Sequence, residues 1–363
     1  MPKVALASFY ALCALTLILP LSAIAQSNQV NQTIVDQARG NGLQLNFNAS
    51  GSPIHVYPRA DHLKALGGIV NNNGGTPPLL YHGGPVMLTT TVYAIFWAPP
   101  QLQDGHATSL SAAYQTVQTN MLKEYFGHSL ATNNTQYYQG STTKTYIKSS
   151  GKFGGSFVDT AAYPGMDCVD NTPELTNANN CISDTDLQNE IKKVMTLKGW
   201  TGGLNKMFLL FTSSDEGQCI NSANCSYAQY CAYHSSFVNG SGQTVIYGNE
   251  PFGDTNVCQA TGAPSPNGNP AADAAATAAS HELTEAITDP LGNAWFDSSG
   301  FEIGDECAYY YGFSGYLSGN ANEMWDGHPF LLQTEYSNVL KNSFINIGTG
   351  SSFPGCFNSG PDL

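Results

Sequence analysis

The amino-acid sequence predicts an α/β (α+β) domain that is built on a mixed sheet and stabilised by disulfides. Segments with strand-like and helix-like periodicity alternate along the chain from residue 89. A continuous apolar run at 206–212 has the length of a central strand that is covered on both faces. Eight cysteines lie between Cys168 and Cys356, as is typical of an exported, disulfide-bonded chain.

The first half of the chain predicts an N-terminal arm, strands and one helix. Residues 26–78 are rich in Asn and Gly and predict a flexible arm or a pro-region. The β-rich run at 89–97 ends at a pair of prolines and should be the first core strand. Residues 109–126 have apolar residues at helical spacing, whereas 137–158 alternate polar with aromatic or β-branched residues, as strands do.

The second half continues this alternation. Ser183 is a suitable N-cap for an amphipathic helix over 184–197, and Gly199 should end it. Residues 219–237 form a cysteine-dense segment without clear periodicity, and an alanine-rich helix begins near Asp273. Shorter strands are predicted at 244–247, 330–332 and 344–347. Because no clean linker interrupts residues 79–363, we expect a single domain there.

The N-terminus indicates export. Residues 1–25 contain one lysine, an apolar run and the small-residue site Ala23-Ile24-Ala25, which together predict a signal peptide. An uncleaved anchor is the alternative, but no basic stop-transfer flank follows the apolar run. The expected location is therefore secreted, extracellular or periplasmic, and the mature chain should not be an integral membrane protein.

The cysteine count and the net charge indicate how the cysteines are used and which partners are excluded. Removal of residues 1–25 takes away Cys13 and Lys3, which leaves eight cysteines and changes the formal net charge from −14 to −15. Neighbouring cysteines are expected to pair, because such pairs close short loops; a cytosolic zinc-cysteine site lacks the C-x-x-C spacing it would need. An excess of acids, 27 against 13 Lys and Arg, excludes nucleic acid as an expected partner. The cysteines are Cys168, Cys181, Cys219, Cys225, Cys231, Cys258, Cys307 and Cys356.

The strongest chemical signal lies on the late alanine-rich helix. His281 and Glu285 are four residues apart and share a helix face, and Glu282 reaches the same edge. The spacing is that of the zincin metallopeptidase helix H-E-x-x-H, with Glu285 in place of the second histidine. It predicts a zincin-like mixed sheet with a late metal-site helix, in which His281 and Glu285 bind the metal and Glu282 is the general base.

A third protein ligand must come from outside this helix. Glu302 is the first candidate because it lies in a later acidic segment, and Asp305 and Asp289 are the alternates. Zinc is the expected ion, but a set dominated by carboxylates also suits Ca²⁺ or Mn²⁺. The contrasting interpretation is that these polar residues form an ordinary solvated helix face or hold a purely structural cation.

Two further residues have weaker signals. His234 could polarise a substrate carbonyl or act as another ligand, although a lone histidine beside cysteines is more often structural. Tyr309, in a run of three tyrosines, could stabilise a transition state, although packing is the commoner role of such residues.

Several short motifs in fixed order resemble the Exordium or phosphate-induced protein family over residues 79–356. They are the Tyr-His-Gly-Gly-Pro stretch at 81–85, the Cys-Ala-Tyr-His stretch at 231–234, the Thr-Asp-Pro turn at 288–290, and Glu302 five residues before Cys307. The chain is most similar to a bacterial branch with His281, Glu282, Glu285, Asp289, Trp295, Asp297, Glu302 and Asp305 at the motif positions. The resemblance implies an exported protein derived from a zincin, and it implies no particular substrate.

Two functions follow as hypotheses. The first is a secreted metallopeptidase that hydrolyses peptide bonds with metal-activated water and Glu282 as base. The second is a non-catalytic, Exordium-like extracellular module that binds a cell-wall polymer or a protein partner and holds a structural cation. Glu282 distinguishes them, because a merely structural cation site has no use for a general base.

Overall fold

The computed structural model describes residues 46–59, 78–222, 224–253, 256–259, 262–312, 320–341 and 355–357. The signal peptide predicted for 1–25 and the strand predicted for 344–347 lie outside these residues. The helices are α1 (Ala112–Glu124), α2 (Ser129–Asn133), α3 (Asp184–Lys198) and α4 (Pro270–Thr288), with 3-10 helices at Asn134–Gln136 and Asp305–Cys307. No helix among the described residues is long and apolar enough to cross a membrane.

The strands, in chain order, are β1 (Asn46–Phe47), β2 (Pro53–Pro58), β3 (Leu80–Tyr81), β4 (Thr91–Trp97), β5 (Tyr138–Gln139), β6 (Thr145–Tyr146), β7 (Lys152–Asp159), β8 (Cys181–Ser183), β9 (Lys206–Phe211), β10 (Gly217–Asn221), β11 (Asn224–Cys225), β12 (Tyr230–Val238), β13 (Thr244–Glu250), β14 (Trp295–Phe296), β15 (Glu323–Trp325), β16 (His328–Phe330), β17 (Glu335–Tyr336) and β18 (Cys356–Phe357). Helices and strands are therefore mixed in one α/β architecture, as the sequence predicts.

A seven-stranded mixed sheet organises the domain in the order β1-β2-β12-β13-β9-β4-β7. The strands β13, β9, β4 and β7 run parallel, whereas β12 is antiparallel to β13 and β2 is antiparallel to β12. The parallel part is covered on both faces, which explains why β9 reads as an uninterrupted apolar run. The antiparallel strands β2 and β12 carry buried polar residues, among them His55 and His234.

Helices cover the sheet on both sides because neighbouring residues of a strand point to opposite faces. Leu209 of β9 packs in the cluster that contains α1 and α4, whereas Leu210 packs in the cluster that contains α3. Both leucines are fully buried. The central strand therefore joins two cores, and α4 is fixed against one of them.

Helix α3 begins and ends where the sequence predicts, whereas α4 begins three residues before the predicted start near Asp273. Helix α3 starts with a capping box in which Ser183 accepts a hydrogen bond from the Asp186 N–H, and Gly199 ends it in the left-handed region at φ 66°. Helix α4 starts at Asn269, whose side chain accepts from the Ala272 N–H, with Pro270 in the first turn. Capping side chains near each N-terminus explain where the two helices begin.

Two segments differ from the predictions. Part of the predicted flexible arm, residues 46–58, forms β1 and β2 at the edge of the main sheet. The cysteine-dense segment contains the nine-residue strand β12, in which eight residues are buried. Strands β2 and β12 pair with each other across more than 170 residues of chain, and a local reading of the sequence does not contain that pairing.

Four disulfides join neighbouring cysteines, as predicted from loop length. They are Cys168–Cys181, Cys219–Cys225, Cys231–Cys258 and Cys307–Cys356. Cys231 lies on β12, three residues before His234, and Cys307 follows Asp305 in the 3-10 helix. Two of the disulfides therefore restrain segments that carry site residues.

The loop lengths lead to a stability prediction. Cys307 and Cys356 are 49 residues apart, whereas Cys219 and Cys225 are 6 apart. Chain entropy predicts a stabilisation of about 4 kcal/mol for the long loop and about 2 kcal/mol for the short one. Urea unfolding should show a larger loss of free energy in the Cys307→Ala/Cys356→Ala variant than in the Cys219→Ala/Cys225→Ala control. An equal or reversed order would contradict the prediction.

Candidate metal centre

Helix α4 places His281, Glu282 and Glu285 in the interior of the domain. All three side chains are fully buried, and every helix residue from Ala272 to Thr288 is buried. The His281 Nε2 atom lies 3.1 Å from Glu285 Oε1, as expected for residues four apart on a helix. The motif therefore does not belong to a solvated helix face, and its charges must be balanced inside the protein.

Adjacent strands bring two histidines to the helix. His55 on β2 and His234 on β12 are directly opposite each other in the antiparallel ladder, and their ring centroids are 5.6 Å apart. His234 Nδ1 lies 2.9 Å from Glu282 Oε2, while the backbone N–H of Tyr57 donates to Glu282 Oε1 at 3.1 Å. Glu282 is thus held at both oxygens.

The segment after α4 supplies two further carboxylates. Asp305 Oδ2 lies 2.6 Å from His55 Nε2, and Glu302 Oε1 lies 3.0 Å from His55 Nδ1. The backbone also links this segment to the helix, because the Asp305 N–H donates to Glu285 Oε1 at 3.1 Å. His55 therefore connects the N-terminal edge of the sheet to the acidic segment.

Asp289 and Tyr309 lie at the margin of this cluster. The Asp289 Oδ1 atom accepts hydrogen bonds from the backbone N–H groups of Asn293 and Ala294, so it shapes the turn that follows the helix. The Tyr309 hydroxyl donates to the Pro58 carbonyl at 2.7 Å. Its ring stacks on Tyr57, which in turn packs against His281. The structure therefore places Tyr309 one ring away from the motif.

Three sets of side chains have donor atoms close enough together to share an ion. They are His281 with Glu285 and Asp305, His55 with Glu285 and Glu302, and His234 with Glu282 and Glu285. Within each set the donor atoms lie within 4.8 Å of one another. Asp305, rather than Glu302, is the carboxylate grouped with His281 and Glu285. Glu285 belongs to every set, which makes it the centre of the cluster.

Burial governs the protonation of the cluster. It raises the pKa of both Glu282 and Glu302 to about 8, and it raises the pKa of Glu285 well above its usual range. It also lowers the pKa of His234 to about 4, so that this imidazole is neutral. Burial therefore favours the protonated forms of these glutamates in the metal-free protein, and a bound cation would compete with those protons.

The pKa values of His55 and Asp305 shift in the direction opposite to the one that burial favours. Burial alone would lower the pKa of His55, but the charges of Glu302, Glu285 and Asp305 raise it well above the usual value. Burial alone would raise the pKa of Asp305, but the charge and hydrogen bond of His55 hold it below the usual value. In the metal-free protein these two residues form a buried ion pair.

Sequence reasoning missed several members of this site. His55 is the most important, because it lies in the segment predicted to be a flexible arm. The residues Pro53–Pro58 do contain alternating β-branched and aromatic side chains, which is a signal for a strand but not for a ligand. Gln333 was also missed; its Nε2 atom lies 2.9 Å from His281 Nδ1. Nothing in its local sequence indicates that contact.

Comparison with family models, with curated proteins and with solved structures gave no match. The resemblance to the Exordium family thus remains a prediction from short motifs. The function must be argued from the geometry of the cluster.

Gly304 provides a test of how tightly the cluster is packed. A Cβ atom at this position would lie 2.5 Å from His281 Nδ1 and 3.0 Å from Glu285 Oε1. Gly304→Ala should therefore displace His281 and lower the free energy of unfolding by about 1–3 kcal/mol. Gly240→Ala is the control, because its Cβ would meet nothing within 4 Å. Equal melting temperatures for the two variants would show that the site is looser than described.

Proposed function

We propose that this protein is a secreted metal-dependent hydrolase acting on peptide bonds, with one divalent ion at His281, Glu285 and Asp305. The observation that carries the proposal is the convergence at His281 Nε2, which lies 3.1 Å from Glu285 Oε1 and 3.9 Å from Asp305 Oδ1. Two residues from one helix turn and a third from a later segment form the ligand pattern of catalytic zinc sites. Zinc is the proposed ion, and Mn²⁺ or Ca²⁺ are alternatives.

Glu282 is suited to the role of general base. A zinc ion in this site would act as a Lewis acid and make water easier to deprotonate. Glu282 lies on the same helix edge as the ligands, and a cation bound beside it would favour its ionised form, which is the form that accepts a proton. His234 Nδ1 lies 2.9 Å from Glu282 Oε2, and this contact holds the carboxylate in place.

The covalent framework supports export. Four disulfides are typical of proteins that mature in an oxidising compartment. The signal peptide predicted at 1–25 is consistent with this location. A secreted, extracellular or periplasmic location is therefore part of the proposal.

Complete burial favours a second candidate function. His55 is 5% exposed, and Glu282, Glu285 and Glu302 are fully buried, so a peptide reaches the site only if a covering segment moves. Strand β2 is such a segment, since it brings both His55 and Tyr57 over the helix. If β2 does not move, the cation is structural and the protein is an extracellular binding module for a cell-wall polymer or a protein partner.

Glu282→Gln tests the catalytic proposal directly. The substitution keeps the shape of the side chain but removes the base, so hydrolysis of unfolded peptides should fall by about 10²- to 10⁴-fold. Metal content, measured by elemental analysis, should not change. Glu216→Gln is a matched control, because Glu216 is also fully buried but pairs with Gln103 outside the site.

The result separates the two candidates. Cleavage that persists in Glu282→Gln and in the presence of a chelator would overturn the metallopeptidase. If the purified protein holds a metal but cleaves no peptide, and chelation lowers the melting temperature, the binding module with a structural cation is supported instead.

A further inference from the structure

The two carboxylate oxygens of Glu285 face different histidines. Oε1 lies 3.1 Å from His281 Nε2, whereas Oε2 lies 3.5 Å from His55 Nε2. A carboxylate that binds a single ion beside His281 does not need its second oxygen to face His55. Glu285 thus spans the distance between a histidine on the helix and a histidine on the edge of the sheet.

Asp305 has the same arrangement. Its Oδ1 atom lies 3.9 Å from His281 Nε2, and its Oδ2 atom lies 2.6 Å from His55 Nε2. Two carboxylates from different parts of the chain therefore connect the same two imidazole nitrogens. This is the ligand arrangement expected for two metal ions that share two bridging carboxylates.

Several donor atoms of this arrangement have no hydrogen-bond partner in the described part of the chain. They are His281 Nε2, Glu285 Oε2 and Asp305 Oδ1, all on fully buried side chains. A buried polar atom without a hydrogen bond is costly, and an ion among these atoms would satisfy them. Of these atoms, Glu285 Oε2 faces His55, whereas Asp305 Oδ1 faces His281.

We propose that the protein binds two divalent ions bridged by Glu285 and Asp305. The first is the ion of the proposed function, at His281 Nε2. The second is held by His55 Nε2, which lies 3.5 Å from Glu285 Oε2 and 2.6 Å from Asp305 Oδ2. Glu302, which is grouped with His55 and Glu285 above, contacts the other ring nitrogen of His55. The ions would be first-row transition metals such as Zn²⁺ or Mn²⁺, which accept both imidazole and carboxylate ligands. Two-metal sites of this kind place their ions about 3.5–4 Å apart.

Charge supports two ions rather than one. Glu282, Glu285, Glu302 and Asp305 carry four negative charges when ionised, and the imidazoles that bind metal are neutral. One divalent ion balances two of these charges, so the other two carboxyl groups would have to keep protons, whereas two ions balance all four. The burial of these residues makes an uncompensated charge expensive.

Outer contacts orient both histidines. His55 Nδ1 lies 3.0 Å from Glu302 Oε1, so Glu302 can accept the Nδ1–H and leave Nε2 free for the second ion. Glu302 is therefore a positioning residue for that ion. His281 Nδ1 lies 2.9 Å from Gln333 Nε2, and an ion on His281 Nε2 requires the Gln333 amide to turn and present its oxygen.

Metal counting with Mn²⁺ and Zn²⁺ on the full-length protein tests this inference, which rests on the first ion of the proposed function but not on its peptidase activity. Elemental analysis after removal of free metal should give two ions per chain. The electron paramagnetic resonance spectrum of the Mn²⁺-loaded protein should show two exchange-coupled ions. One ion per chain at saturation, or a hyperfine-resolved spectrum of isolated Mn²⁺ at full loading, would overturn the inference.

Variants locate the two ions. His55→Ala should reduce the metal content from two ions to one and give the spectrum of isolated Mn²⁺, while Glu285→Gln should lose both ions. His106→Ala is the control; its side chain is 77% exposed and it should retain two ions. Two coupled ions in His55→Ala would overturn the assignment. If His55→Ala does not fold, the spectrum of the unmodified Mn²⁺-loaded protein still shows whether two coupled ions are bound.

The same samples separate the inference from the proposed function. Two coupled ions in a protein that cleaves no peptide would support the two-ion site and overturn only the peptidase. One ion with Glu282-dependent cleavage would support the peptidase and overturn only the second ion.

Discussion

The burial of adjacent carboxylates is the constraint on which the rest of the structure depends. Glu282 and Glu285 project from a helix that is buried from Ala272 to Thr288, and Glu302 and Asp305 are packed beside them. Charges in such surroundings need protons, histidines or metal ions close by. The sheet meets this need by placing His55 and His234 next to each other on β2 and β12.

The scaffold holds the acidic segment and the histidine strands by covalent and hydrogen-bonded links. Cys307 is two residues from Asp305 and is bonded to Cys356, while Cys231 precedes His234 on β12 and is bonded to Cys258. The Asp305 N–H donates to Glu285, and the Glu302 N–H donates to Asp305 Oδ2. These links fix the positions of the site side chains relative to one another.

Particular residues show how far sequence reasoning extends. The i, i+4 spacing of His281 and Glu285 predicts their contact, because helix geometry alone determines it. As third ligand the sequence favoured Glu302 over Asp305, whereas the structure groups Asp305 with His281 and Glu285, because only the fold of this short segment directs Asp305 toward His281. Helix boundaries at Ser183 and Gly199 were predictable because capping depends on neighbouring residues.

By itself, the sequence determined the α/β class, the neighbour pairing of eight cysteines, and a helix that carries the ionisable residues His281, Glu282 and Glu285 on one edge. Each depends on local spacing or on short loop closure, which are readable from consecutive residues. Only the tertiary structure decided that His55 belongs to the site, because β2 reaches it by pairing with a strand more than 170 residues away. It also showed Glu285 between two histidines, an arrangement created where the helix and the edge of the sheet meet.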